Sequence, residues 1–301
     1  MPLIRPADEI GASEAIGLLE ENHPGKTGKP FFLALGFYRP HTPFVAPAEF
    51  FDLYPLEHIE PVTVPPGDRE NKPVAALADR KYQAQMTQLQ KKQAIQSYHA
   101  SISFIDTQLG RVTSALKQLG LDSDTLVVFV SDHGYQLGSH GLWQKKDLFE
   151  NTARTPLIMV APEQLEAGLK SPLVTELVDI FPTLVSLAGL KMPETRLEGQ
   201  DLRAVLNGDQ QGRGFALSQS SSAAHLTRPE WKDKDIMGYS IRTDQYRYTE
   251  WGGGDYGSEL YDYYEDPAEF DNLAGKSGYE DINRKLKQLL DSKLRSIHQK
   301  E

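Results

Sequence analysis

One stretch of the chain, residues 126–146, limits its fold more than any other. Its sequence is LVVFVSDHGYQLGSHGLWQKK, in which an apolar run is followed at once by Ser131, Asp132 and His133. An uninterrupted β-branched and aromatic run of this length is typical of a strand buried on both faces. Because ligands bind beyond the carboxyl ends of strands in open α/β sheets, Asp132 and His133 are predicted to lie at a binding crevice.

The residues after this strand have the chemistry of a metal site beside an anion. Asp132 offers a carboxylate oxygen and His133 an imidazole, while His140, Lys145 and Lys146 follow within fifteen residues. Hard divalent cations prefer oxygen ligands, and fixed positive charge suits an anionic substrate. An isolated Asp-His pair at a strand end is more often a cap or a hydrogen-bonded pair. The spacing alone leaves both interpretations open.

Strand-like and helix-like patterns alternate along most of the chain. Apolar runs at residues 31–37 and 155–162 have the length of buried strands, and residues 95–119 place apolar side chains every three or four positions before Gly120 ends the pattern. Such alternation predicts an α/β fold, with a mostly parallel central sheet and helices on both faces.

The last third of the chain has a different pattern. A Gly/Gln/Ser-rich connector at residues 207–224 indicates a boundary between an α/β domain, residues 1–210, and a small C-terminal α+β subdomain, residues 211–301. For this subdomain the sequence predicts three strands, at residues 238–243, 246–251 and 259–263. It also predicts one closing helix, at residues 282–294.

His41 is a further candidate for a binding site. It follows the run at residues 31–37 and stands in a loop between Pro40 and Pro43. Proline fixes its own φ and restricts the residue before it, so the imidazole is expected to be held with little conformational freedom. A histidine that merely packs in its loop is the alternative from the residues alone.

Composition excludes several classes of protein. The 301 residues carry a net charge of −10, which argues against a nucleic-acid partner because phosphate backbones attract basic surfaces. The chain has no cysteine, so disulfides, thiolate metal sites and cysteine nucleophiles are excluded. No apolar run approaches the length of about 18 residues that a membrane span needs, and the opening residues 1–5 have no signal-like character.

Taken together, these motifs resemble the sulfatase family of the alkaline-phosphatase superfamily, and in particular its iduronate-2-sulfatase-like branch. The resemblance rests on the strand followed by SDHG and LGxHGxWxK, on the loop HxPF at His41, and on the segment beginning at Asp179. The later runs SIRTDQYRYTEW and ELYDYYEDPAEFDNLA are similar to the C-terminal subdomain of sulfatases. The resemblance implies hydrolysis of a sulfate ester on a sulfated sugar or glycan, such as a glycosaminoglycan, in a periplasmic, extracellular or lysosomal compartment.

The resemblance also implies a role for each candidate residue. Asp132 and His133 correspond to ligands of a divalent cation, usually calcium in the family. Lys145 and His41 correspond to catalytic residues that contact the sulfate group. His140 is assigned to the substrate pocket. A cation near the developing sulfate dianion would stabilise the transition state.

The sequence departs from the family in one respect that bears on activity. Family members make formylglycine from a cysteine or serine in a Cys/Ser-x-Pro/Ala-x-Arg motif, and they carry two adjacent aspartates on an early strand; neither feature is found here. The chain therefore resembles a C-terminal portion whose site is completed by an N-terminal segment or a partner chain. It is expected to be inactive alone and to present an unpaired apolar sheet edge or a groove.

Two other functions are compatible with the same residues. The first is a non-catalytic module that binds sulfated glycans, which would keep the sulfate contacts without the nucleophile. The second is a phosphatase or phosphodiesterase relative. Such enzymes use a Ser/Thr nucleophile and a second metal held by further Asp and His residues, for which the sequence shows no suitable spacing.

Overall fold

The computed structural model describes residues 5–298, so residues 1–4 of the opening lie outside the described residues. In this part of the chain the α-helices are α1 (Ala7–Glu21), α2 (Pro24–Thr27), α3 (Ala48–Phe51), α4 (Gln88–Gln118), α5 (Glu150–Ala153), α6 (Ile180–Leu187), α7 (Leu202–Leu206) and α8 (Glu280–His298). The strands are β1 (Val127–Val130), β2 (Leu157–Val160), β3 (Phe215–Ser221), β4 (Met237–Thr243), β5 (Tyr246–Trp251) and β6 (Ser258–Asp262). Across residues 5–298, no helix has both the length and the apolar character needed to cross a membrane.

The chain forms two compact units whose boundaries lie away from the predicted one at residue 210. The first unit contains residues 5–61 and 86–125, and the second contains residues 62–85 and 126–298. The predicted boundary between an α/β domain, residues 1–210, and a C-terminal subdomain, residues 211–301, remains a prediction. It falls shortly before β3, the first strand of the C-terminal sheet.

The first unit is organised around α4, the long helix that the apolar spacing predicts. Thr87 begins it with a capping box, in which the Thr87 hydroxyl accepts a hydrogen bond from the Gln90 amide and the Gln90 side chain accepts one from the Thr87 amide. Gly120 follows its end in the left-handed conformation, at φ 68°. Helix α1 packs on α4 through a buried face that includes Ala12 and Leu19.

The run at residues 31–37 is not the buried strand that its composition predicts. It belongs to no sheet of the described residues, and its side chains alternate between exposed and half-buried, with Phe32 87% exposed. Strand assignment requires a hydrogen-bonded neighbour, and local sequence does not specify that neighbour. The end of the run at residues 31–37 is held instead by Asp8, whose buried carboxylate accepts a hydrogen bond from the Tyr38 amide.

In the second unit, β1 and β2 form a two-stranded antiparallel sheet in which Val127 is opposite Val160 and Val130 is opposite Leu157. The prediction of parallel pairing is wrong for these strands. A parallel pair requires a crossover connection, usually a helix, and the chain between β1 and β2 contains only a single helical turn and α5. The succession of helices and strands still agrees with the predicted α/β class.

Both strands of this sheet leave apolar side chains in solvent. Val130 is 40% exposed, Ile158 57% and Val160 49%. A strand of such composition is normally covered on both faces. The exposed apolar surface is therefore the kind of feature expected for a sheet that other polypeptide covers.

The C-terminal sheet has the order β3-β4-β5-β6 and is antiparallel throughout. Predicted strands coincide with β4, β5 and β6 to within one residue at each end, whereas β3 lies inside the segment predicted to be a connector. Strand β3 is an edge strand whose second half, residues 218–221, is polar, so its pattern is weak. Helix α8 covers the sheet through Leu286 and Leu290, which are buried against Ile241 and Leu260.

A second core joins the C-terminal sheet to the loop that follows β1. Leu142, Leu148 and Phe149 from this loop are buried with Trp251 and Tyr261 from β5 and β6. The sheet therefore fixes the loop that carries most of the predicted site residues.

Candidate functional site

Asp132 and His133 lie directly after β1, where the sequence predicts them. The Asp132 Oδ1 accepts a hydrogen bond from the His133 amide at 3.0 Å, and Asp132 Oδ2 lies 3.6 Å from His133 Nε2. His133 Nδ1 lies 2.8 Å from the Gly134 carbonyl oxygen and must donate to it, which leaves the lone pair of a neutral ring on Nε2. The Asp132 side chain is 85% exposed. Both residues therefore present ligand atoms that a cation can reach.

Gly134 allows the chain to pass close to α5 immediately after His133. Its amide donates to the Thr152 carbonyl at 2.8 Å, and the Tyr135 amide donates to the Asn151 carbonyl at 2.8 Å. A Cβ atom at position 134 would lie 2.0 Å from the Asn151 carbonyl oxygen. Only glycine permits this approach, so the position of the Asp132–His133 pair depends on it.

Lys145 lies in the same groove of the second unit as Asp132 and His133. The groove has a volume of about 1760 Å³, and the charged residues that line it include Lys146, Asp147 and Arg154. Lys145 is half-buried and makes no hydrogen bond or ion pair with any residue in the range 5–298. Its positive charge is thus not neutralised by the described protein, as a contact to an anion requires.

His140 is buried, in contrast to its predicted place in the substrate pocket. It is 1% exposed, its ring packs 4.2 Å from that of Phe149, and its Nδ1 lies 3.1 Å from Asp68 Oδ1. Lys72 forms an ion pair with the same buried carboxylate. Burial lowers the pKa of His140 to about 4, although Asp68 acts in the opposite direction. The substrate contact remains a prediction, and this conformation favours a structural role.

His41 lies in the first unit, in the loop between Pro40 and Pro43. The residue is exposed, and its Nδ1 lies 2.7 Å from the Thr42 carbonyl oxygen. Its ring centroid is 5.1 Å from that of Tyr38, and its amide donates to the Tyr38 carbonyl at 3.0 Å. These contacts hold the ring in one orientation, as the flanking prolines predict. As at His133, donation from Nδ1 leaves the Nε2 lone pair free.

The residues present fit a divalent cation only in part. Asp132 and His133 supply an oxygen and a nitrogen of suitable type, but residues 5–298 contain no group of three or more His, Cys, Asp or Glu side chains that could hold a metal. Calcium takes six to eight oxygen ligands. Of the two predicted ligands, only the Asp132 carboxylate is of the oxygen type that calcium prefers.

Sequence reasoning did not identify Asp147 as a residue of the groove. It lines the groove two residues after Lys145, yet it is 3% exposed and bonded to Gln136 through its side chain. The position of Asp147 directly before the apolar pair Leu148-Phe149 is the one signal that could have indicated a buried carboxylate.

Comparison with known proteins identifies the fold. The fold is that of alkaline-phosphatase-like ester hydrolases: a phosphonate monoester hydrolase of Agrobacterium radiobacter superimposes with a TM-score of 0.78 at 27% identity, over 95% of this chain and 60% of that one. The structure of BT4656 with its substrate D-glucosamine-2-N,6-O-disulfate has a TM-score of 0.75 at 22% identity, over 96% of this chain and 69% of that one. The predicted α/β fold class is thereby confirmed.

The family follows from the sequence comparison. The model described as Sulfatase matches residues 5–190, and the model described as N-sulphoglucosamine sulphohydrolase, C-terminal, matches residues 138–296. The chain belongs to the sulfatase family. It is 35% identical to iduronate 2-sulfatase of Mus musculus over 311 aligned residues, which cover 82% of this chain and 56% of that protein. The chain thus spans about half the length of the curated relatives that it matches.

Proposed function

We propose that this chain carries part of the active site of a sulfuric ester hydrolase that acts on a sulfated sugar or glycan, as iduronate 2-sulfatase does. The observation that carries the proposal is one groove, on a sulfatase scaffold, that contains Asp132, the free Nε2 of His133 and the unpaired ammonium of Lys145. These groups combine ligands for a cation with a positive charge for an anion. We propose a periplasmic, extracellular or lysosomal compartment from the family resemblance alone.

Each residue has a distinct task in this proposal. Asp132 and His133 would hold a divalent cation, which we propose to be calcium, and such a cation polarises the ester oxygens of sulfate. Lys145 would neutralise charge on the sulfate group as it builds up during ester cleavage. For His41, in the first unit, contact with a sulfate group is proposed from the family resemblance alone. The remaining ligands and the nucleophile would come from further polypeptide that covers the exposed apolar strands β1 and β2.

The non-catalytic alternative has a specific observation in its favour. The chain has no cysteine and no serine in the formylglycine motif, so a protein with these residues alone would bind a sulfated glycan without cleaving it. Both functions predict sulfate binding at Lys145. They differ in whether a supplied nucleophile-bearing segment restores hydrolysis of an aryl sulfate.

Sulfate binding tests the proposal directly. In calcium-containing buffer, inorganic sulfate titrated calorimetrically into the 301-residue chain is expected to bind, and Lys145→Ala is expected to weaken binding at least about tenfold, since bonds to charged groups contribute about 1.5–3 kcal/mol. The matched control is Lys146→Asn, which removes the neighbouring exposed charge while tolerating the φ of 80° at that position. Equal affinities for wild type and Lys145→Ala would refute the assignment.

Calcium affinity gives a second, independent measurement. Asp132→Asn is expected to weaken calcium binding without changing the unfolding midpoint in calcium-free buffer, because its side chain is 85% exposed. An unchanged calcium affinity would remove Asp132 from the metal shell. Release of sulfate from an aryl sulfate by the chain alone would contradict the expectation that it lacks the nucleophile.

A further inference from the structure

A pair of buried polar side chains, Gln136 and Asp147, connects the two parts of the proposed site. Gln136 is 0% exposed and Asp147 3%. The Gln136 side-chain amide donates to Asp147 Oδ1 at 3.2 Å, and the Phe149 amide donates to the same oxygen at 3.1 Å. We call these two side chains the Gln136–Asp147 pair.

The pair joins the segment after His133 to the segment that carries Lys145. The backbone amide of Gln136 also donates to the Gln144 carbonyl at 2.8 Å, so the two segments are bonded on both sides of Lys145. Lys146 has a φ of 80°, a left-handed conformation that residues other than glycine rarely adopt and keep only when the surroundings fix it. The bonds of Asp147 directly after Lys146 supply that restraint.

The pair has two further oxygens that the described residues leave without a hydrogen bond. They are Gln136 Oε1 and Asp147 Oδ2, and both are buried, as is the Thr152 hydroxyl oxygen, which also has no hydrogen bond within the described part of the chain. A planar amide and a planar carboxyl group can form two parallel hydrogen bonds, of which the second requires a proton on the carboxyl group. A single proton on Oδ2 would thus satisfy both oxygens.

Titration of Asp147 is compatible with this arrangement. Burial raises the pKa of Asp147 to about 7, against the lowering effect of the Gln136 and Phe149 donors and of the Thr152 hydroxyl. The Glu269 carboxylate also raises this pKa. The folded chain therefore holds a proton on Asp147 across the acidic range.

We infer that Asp147 is a positioning residue, which donates a hydrogen bond to Gln136 Oε1 when protonated and through that pair holds Lys145 in the groove that also contains Asp132 and His133. The inference rests on the proposed function, because it takes Lys145 to be the sulfate contact. Asp147 itself would not touch the sulfate. Asp147 would affect sulfate binding only by holding Lys145 in position.

A double-mutant cycle with inorganic sulfate tests this route. Asp147→Ala is expected to weaken sulfate binding about fivefold in the wild-type background and to have no further effect when Lys145 is already alanine, since coupled residues are not additive. Asp147→Asn is expected to retain wild-type affinity, because its amide can donate to Gln136 Oε1 without a carboxyl proton. Equal weakening by Asp147→Ala in both backgrounds would overturn the inference.

Hydrogen exchange at the backbone amide of Gln136 gives a readout that does not depend on sulfate. Asp147→Ala, and Gln136→Ala as a second variant that keeps the Asp147–Phe149 bond, are expected to accelerate exchange at position 136, whereas Asp147→Asn should leave it slow. Unchanged exchange in both alanine variants would refute the positioning role, whatever the sulfate data show. If Lys145→Ala alone leaves sulfate affinity unchanged, the proposed function fails, and exchange at Gln136 still decides whether the pair holds the loop.

Discussion

The pH dependence of stability should reveal Glu259, a carboxyl group buried within the C-terminal sheet. Glu259 is 2% exposed, and its two oxygens accept hydrogen bonds from Trp251 Nε1 at 3.0 Å and the Tyr261 hydroxyl at 2.8 Å. Burial nevertheless raises its pKa from the ordinary value of 4.5 to about 7. The free-energy cost of moving the carboxylate out of water exceeds the stabilisation that its two hydrogen-bond donors provide.

The sign and size of the effect follow from proton linkage. Between pH 4.5 and about 7 the folded protein retains the Glu259 proton, while the unfolded chain releases it. The free energy of unfolding therefore falls as pH rises through this window, by about 1.4 kcal/mol per pH unit. From pH 5 to pH 8 the contribution of this one group amounts to about 2–3 kcal/mol.

Glu259→Gln should remove this dependence. Its amide oxygen can accept from Trp251, and its amide nitrogen can donate to the Tyr261 hydroxyl oxygen, so both contacts can be kept, with the Tyr261 hydroxyl changed from donor to acceptor. In urea unfolding, the stability of the variant relative to wild type is expected to rise by about 2–3 kcal/mol between pH 5 and pH 8. The matched control is Glu265→Gln, at an exposed position nearby. A difference between Glu259→Gln and wild type that is the same at both pH values would refute the reasoning.

Two further substitutions test how the second unit holds the site loop. Lys72→Met should lower the free energy of unfolding by about 3–5 kcal/mol in urea, because it removes the cation from a fully buried ion pair, whereas Lys81→Met, at an exposed lysine, should leave it nearly unchanged. Gly134→Ala should cost about 1–3 kcal/mol, since its Cβ would lie 2.0 Å from the Asn151 carbonyl oxygen. The control Gly110→Ala meets no atom within 4 Å in α4 and should raise stability by about 0.5–1 kcal/mol. A destabilising Gly110→Ala, or a neutral result for either Lys72→Met or Gly134→Ala, would contradict these expectations.

Elements with a strong local pattern could be predicted from the sequence. Strand β5 (Tyr246–Trp251) has its predicted bounds, and α4 has the predicted apolar seam and the predicted glycine after its end. Both depend on periodicity and on end signals within a few residues. The same holds for the position of Asp132 and His133 after β1.

Features that depend on distant partners could not be predicted in this way. The antiparallel pairing of β1 with β2 and the lack of a paired neighbour for residues 31–37 are properties of which strands meet, and an apolar run does not encode its neighbour. The burial of His140 has the same origin. Its carboxylate partner, Asp68, is 72 residues away in the chain, so its motif position in the sequence predicted a pocket residue instead.

The distribution of burial in the second unit separates the groups that hold the loop from those available for chemistry. Gln136, His140 and Asp147 are at most 3% exposed, and the bonds they make are to neighbouring protein groups. Asp132 and Lys145 differ from these three residues. The Asp132 side chain is largely exposed, and Lys145 has no partner among the described residues. Exposed or unpaired charges contribute little to stability, so stability does not account for these two groups, whereas the proposed binding of a cation and of sulfate would.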